Sequence, residues 1–90
     1  MIEVKQLDDG DPMVFEVRVE EANSASQHEV KLSREDHERL APAVEPDHLV
    51  EASFRFLLDR EPKEQILSAF ELPVIERYFG AYEDEIPRYL

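Results

Sequence analysis

Three histidines, His28, His37 and His48, and a dense population of carboxylates are the side chains of this sequence best suited to chemistry. The imidazoles raise a metal hypothesis first. A compact zinc site needs three or four convergent ligands, and no two of these histidines stand at the i,i+4 spacing that aligns side chains on one helix face. Asp36-His37 and Asp47-His48 look alike, but neighbours on a helix diverge by about 100° and do not readily share an ion. Solvated or half-buried histidines are the expectation. Asp8-Asp9-Gly10-Asp11 looks like a fragment of a calcium loop. An EF-hand needs its glycine at the sixth position and a bidentate glutamate at the twelfth. Counted from Asp8, Gly10 is third, so a hairpin turn is the better reading, with at most weak cation association through bulk charge. Carboxylate pairs such as Asp47 with Glu51 abound, but catalytic pairs are marked by a pocket that drives their pKa values apart. There is no G-x-S-x-G and no H-E-x-x-H, and two glycines leave little from which to build a phosphate-cradling loop. With no cysteine, disulfides, thiolate zinc, iron–sulfur clusters and thiol nucleophiles are excluded. The expectation is a non-enzymatic protein with no cofactor and no metal.

Charge narrows the field further. Asp and Glu number 22 against 10 Lys and Arg, a net of -12 in 90 residues, and the acids run from Glu3 to Glu85. An even negative field favours solubility and repels polyanions, which argues against direct nucleic-acid binding. The hydrophobic fraction of 42% is enough for a core and separates the chain from disordered acidic sequences. Its length suits one domain, residues 1–90. Met1-Ile2-Glu3-Val4 opens without a basic region or an apolar run, so no signal peptide is expected. No apolar stretch approaches the ~20 residues of a membrane helix. A cytoplasmic protein is the expectation.

These side chains must be positioned by elements that the pattern makes legible. Phe15, Val17 and Val19 alternate with Glu16, Arg18 and Glu20, the mark of a half-buried antiparallel strand. Ile2-Glu3-Val4-Lys5 alternates too. Between them, Asp-Gly at 9–10 would supply a positive φ, and Pro12 would stop pairing. A third strand is expected over His28–Leu32, after a loop from Glu21 to Gln27. Ser33 then caps a short helix running to about Ala41, ended by Pro42. The strongest helix runs from Asp47 to about Asp59, with Leu49, Val50, Phe54, Phe56, Leu57 and Leu58 in a stripe wide enough to be buried on more than one side. Glu61-Pro62 and Leu72-Pro73 each look like the start of a further helix, with Ile66, Leu67 and Phe70 inward on the first and Val74, Ile75, Tyr78 and Phe79 on the second. Gly80 would end the latter, and Tyr82 and Ile86 would dock the tail. Strands followed by helices predict an α+β fold: a small antiparallel β-meander of two or three strands, then three or four short helices packed on one face.

Lys63–Phe79 has roughly the spacing of a helix-turn-helix, yet DNA readers need cations along the second helix. This one offers Arg77 against Glu76, with Glu71 in the turn. An αα-hairpin built for packing is the better reading. The string Phe56-Leu57-Leu58-Asp59-Arg60-Glu61-Pro62, followed by Ile66-Leu67, Phe70, Leu72, Ile75 and Tyr78-Phe79, resembles small bacterial proteins with no assigned function. The resemblance covers the C-terminal half and the strand Phe15 to Val19, and Gly80 stands where the pattern expects proline. It implies a folded bacterial domain and supplies no activity or site. Within it, Arg60-Glu61-Pro62 is the polar element to watch. It is either a helix junction, with Arg60 meeting the carbonyl end of a helix, or a recognition corner.

The leading expectation is a small acidic module that docks on a more basic protein partner. Charge would speed encounter and an apolar centre would hold the complex. Arg60, Glu61, Tyr78, Phe79, Tyr82 and Tyr89 are the candidate contacts, because aromatic residues are enriched in interface cores. Two alternatives stand beside it. One is a helix-turn-helix-derived regulator or a DNA mimic, the latter requiring acids in two phosphate-like rows. The other is a carboxylate-based metal-dependent enzyme, requiring a concave pocket with convergent acids.

Overall fold

The alternation around Phe15 produces a strand of nine residues, β2 (Met13–Glu21), flanked by β1 (Ile2–Asp8) and β3 (Ser24–Leu32). The computed structural model describes all residues 1–90. Both flanking strands run antiparallel to β2, with Val4 opposite Val17 on one side and Phe15 opposite Val30 on the other. Met13, Phe15, Val17 and Val19 are buried together on one face, while Glu16 is exposed on the other.

Two turns differ from expectation. Gly10 has a negative φ, and a β-carbon there would meet nothing nearer than the Asp8 carboxylate at 3.5 Å, so the turn makes no demand for glycine. Instead Asp11 accepts the Arg34 N–H at 3.1 Å and Asp9 pairs with the Arg34 side chain at 3.0 Å, so the acidic loop closes the start of a helix. The loop expected over Glu21–Gln27 shrinks to Ala22 and Asn23, because β3 begins at Ser24. Ala22 takes the positive φ, 47°. The strand expected over His28–Leu32 is thus longer at its start, where the inward positions Ser26 and His28 bond to each other at 2.8 Å instead of presenting apolar side chains.

Ser33 caps α1 (Arg34–Leu40) as its type predicts: its Oγ accepts the Asp36 N–H at 3.0 Å. Pro46 opens α2 (Pro46–Leu58), the longest helix, which buries Leu49, Val50, Ala52, Ser53, Phe54, Phe56 and Leu57. Beyond it the first of the two expected helices does not form, while the second does, from Leu72-Pro73 to Tyr78. Lys63–Gln65 makes a single 3-10 turn, and Ala69–Glu71 forms β4, a short strand parallel to β3 at the far edge of the sheet. His28 Nδ1 donates to the Leu67 carbonyl at 2.7 Å and the Glu29 N–H donates to the Ser68 carbonyl at 2.8 Å. These tertiary bonds hold the segment extended, against the helical spacing of Ile66 and Phe70. A 3-10 turn over Leu72–Val74 leads into α3 (Ile75–Tyr78). Then come α4 (Tyr82–Glu85) and a closing 3-10 turn at Ile86–Tyr89.

The result is an α+β fold: a four-stranded sheet in the order β1-β2-β3-β4, its antiparallel N-terminal strands followed by four short helices. The radius of gyration is 12.1 Å, about that of a single packed unit of this length. No helix is long and apolar enough to cross a membrane.

Candidate functional site

Of the six residues singled out from the sequence, three are drawn into the fold itself. Tyr82 lies wholly inside the core, its ring edge-on to Phe56 at 5.2 Å. Its hydroxyl meets Ser53 Oγ at 2.6 Å, and Ser53 in turn donates to the Leu49 carbonyl at 2.8 Å. Burial pushes the Tyr82 phenol well above its ordinary range. A side chain so placed cannot touch a partner, so the expectation for Tyr82 is corrected: it closes the domain's own core. Arg60 lies with its guanidinium 3.6 Å above the Phe56 ring. It donates to the Phe56 carbonyl at 3.0 Å, to Glu85 at 2.6 Å and to the Tyr89 hydroxyl at 3.3 Å. Tyr89 donates to Asp59 at 2.6 Å and packs edge-on to Phe56 at 5.7 Å. Arg60 thus sits where a cation complements the carbonyl end of α2, and with Tyr89 it staples the C-terminal turn to that helix.

The other three, Glu61, Tyr78 and Phe79, converge. They line a cavity of about 230 Å³ with Leu57, Gln65, Ile66, Leu67, Phe70, Val74 and Ile75. Leu57, Ile66 and Ile75 are buried and form its floor. Leu67 is 45% exposed and Tyr78 67%, so both stand at the rim. β4 supplies Phe70 and α3 supplies Ile75 and Tyr78, so the strand that replaced the expected helix forms one wall of the cavity. Glu61 and Gln65 are its only polar members. Partial burial beside this apolar surface pushes the Glu61 carboxyl above its usual range. Small-molecule sites usually measure about 300–1,000 Å³, so this one is sized for a single large side chain. Sequence reasoning placed Leu67 and Val74 in the interior and passed over Gln65. The usable signal was Phe70-Glu71-Leu72, a short alternation that fits an edge strand better than a helix.

The groups considered for chemistry lie apart. His28 is buried between Ser26, the Leu67 carbonyl and the Phe54 ring, whose centroid is 5.2 Å away. His37 Nε2 donates to the Val44 carbonyl at 2.7 Å and His48 Nε2 to the Leu90 carbonyl at 2.9 Å. Glu45, Asp47, His48 and Glu51 line an open depression beside Val4, but no three metal-ligating side chains converge there or elsewhere. Lys63 buries its stem and brings its ammonium to Glu64 at 2.7 Å and Glu21 at 3.4 Å. The Glu64 hydrogen bond is the main cause that holds its proton more firmly than usual. Every basic residue except Lys5, Lys31 and Arg77 is tied to a carboxylate. Seven of the ten cations thus serve the scaffold, and the net charge left over is negative.

Comparison with protein-family models, curated proteins and solved structures finds no match for this chain. Its function must be read from its own geometry.

Proposed function

We propose that this protein is an acidic, non-enzymatic binding module whose Glu61–Phe79 cavity accepts one apolar side chain of a basic protein partner. The observation that carries the reading is the cavity itself: apolar, sized for a side chain, and edged by one partly desolvated carboxylate. An apolar anchor entering such a pocket supplies the binding energy of a hot spot. A cation beside that anchor in the partner would meet Glu61, and the net charge of -12 would steer the approach. On this reading the protein works in the cytoplasm with neither cofactor nor metal. The resemblance to small bacterial proteins fits it without assigning a pathway.

Amide-resolved NMR titration with short peptides tests the reading. A peptide carrying phenylalanine between arginines should shift Gln65, Leu67, Phe70, Val74 and Tyr78. The same peptide with glycine for phenylalanine should shift them weakly, and one with glutamates for arginines should not bind. Shifts scattered over the acidic surface irrespective of the aromatic residue would refute a pocket-based function.

A further inference from the structure

We propose that the free edge of β1 is a self-complementary pairing strand through which two copies of this chain join their sheets, an inference independent of the cavity. β1 is the outermost strand, with β2 on one side only. Met1 and Glu20 exchange both backbone bonds, at 2.8 and 2.7 Å. That pair fixes the phase of the ladder. By alternation, Glu3 and Lys5, which face Arg18 and Glu16, bond inward to β2, while Ile2, Val4 and Gln6 turn their N–H and C=O groups outward. A second β1 laid antiparallel about a two-fold axis at Val4 sets Ile2 against Gln6 of the other copy and Val4 against Val4. That closes about six backbone hydrogen bonds between the copies.

The side chains select this register. Centred on Val4, it places Glu3 directly opposite Lys5 of the second copy, and Lys5 opposite Glu3. Both pairs fall at non-hydrogen-bonded positions, where side chains approach most closely. It also brings Met1, 69% exposed, beside Leu7 of the other copy, 49% exposed. A slip of two residues either way sets Glu3 against Glu3 or Lys5 against Lys5. Edges guarded against association commonly carry lysines or inward-pointing charges; here one charge of each sign is spaced so that a two-fold axis matches them. Opposing the union are the charge of -12 on each copy and the acids Glu45, Asp47 and Glu51 beside Val4. Salt screens that long-range repulsion. The contact is smaller than the ~1,200–2,000 Å² of a tight complex, so the dimer forms at high protein concentration and strengthens from low to moderate ionic strength.

Sedimentation equilibrium of the full chain over a concentration series in potassium chloride tests this. The wild type should move from 10.5 kDa towards twice that mass. K5E and E3K should each associate at least tenfold more weakly. An equimolar mixture of the two should recover the wild-type association, because opposite charges then face each other at both positions. Circular dichroism checks that each variant is folded. Amide hydrogen exchange on the wild type needs no variant: the Val4 N–H should slow as concentration rises. A wild type that stays at 10.5 kDa with a fast-exchanging Val4 amide would overturn the proposal. So would folded variants that associate as the wild type does, or a mixture that fails to recover.

Discussion

Replacing Arg60 with alanine removes a stack, a helix-end cation and an ion pair at once, and each part has a known scale. The guanidinium 3.6 Å over Phe56 contributes about 0.5–1 kcal/mol. Its bond to the Phe56 carbonyl at the end of α2 adds about 0.3–1 kcal/mol. The Glu85 pair, partly open to solvent, adds about 0.2–1 kcal/mol after screening. The sum is about 2 kcal/mol, and for a chain of this length it should lower Tm by roughly 8–16 °C. Urea unfolding should show a lower midpoint with an unchanged slope, the signature of lost stability without a change in compactness. In about 1 M salt the Debye length falls to about 3 Å, which removes most of the Glu85 share and leaves the stack. Arg60→Lys keeps the charge but loses the flat face and the fork, so it should recover less than half of the deficit. A lysine variant as stable as the wild type, or an alanine variant within about 0.5 kcal/mol of it, the ordinary range for a surface change, would refute the account of Arg60 as a staple.

Ala22→Gly should stabilise the chain by about 0.5–1 kcal/mol, since relief at φ 47° outweighs the added freedom of the unfolded glycine; the urea midpoint reads it. Tyr82 ionises readily only when unfolded, so its share of stability is complete below the ordinary phenol range near pH 10 and is lost as pH rises beyond it. Alkaline unfolding should therefore coincide with a late tyrosinate absorbance step that Tyr82→Phe abolishes, at a cost of about 1 kcal/mol at neutral pH. Glu61 has a raised carboxyl pKa in the free protein, and a docked cation would lower it. Binding of the arginine-flanked peptide should thus strengthen as pH rises through the carboxylate range, with proton release, and Glu61→Gln should flatten that dependence. A pH-independent affinity would separate Glu61 from the site.

How far the sequence discloses this molecule depends on where polar residues sit. β2 and α2 are legible because their buried positions are all but uniformly apolar, at periods of two and of about 3.6. The start of α1 is legible because Ser33 is a local device that needs only its own backbone. β3 is half hidden because Ser26 and His28 satisfy each other inside the sheet's face, a pairing that no periodicity reveals. β4 is hidden because its conformation is imposed from 39 residues away in the chain, by His28 on the Leu67 carbonyl and Glu29 on Ser68. The site follows the same division. Glu61, Tyr78 and Phe79 are legible as candidates, but the cavity that unites them is also lined by Phe70 from the strand that periodicity does not reveal.

The fate of Arg60 and Tyr89 shows why polar prominence is a poor guide to function in an acid-rich chain. With 22 carboxylates competing for 10 cations, an arginine at a helix end is captured by its nearest acids, and a terminal tyrosine by the arginine. Arg39 repeats the pattern, joining Asp36, Glu76 and Glu83 across α1, α3 and α4 at 3.1–3.3 Å. Such clusters tie short helices whose own hydrogen bonding is too brief to hold them. What the scaffold leaves unclaimed at the cavity is apolar or negative: Leu67 and Tyr78 at its rim and Glu61 within it. A partner suited to that remainder carries an apolar anchor beside a positive charge. If instead the charge alone governed association, removing the anchor from a peptide would leave its affinity unchanged, and the cavity would be no more than a seam between β4 and α3.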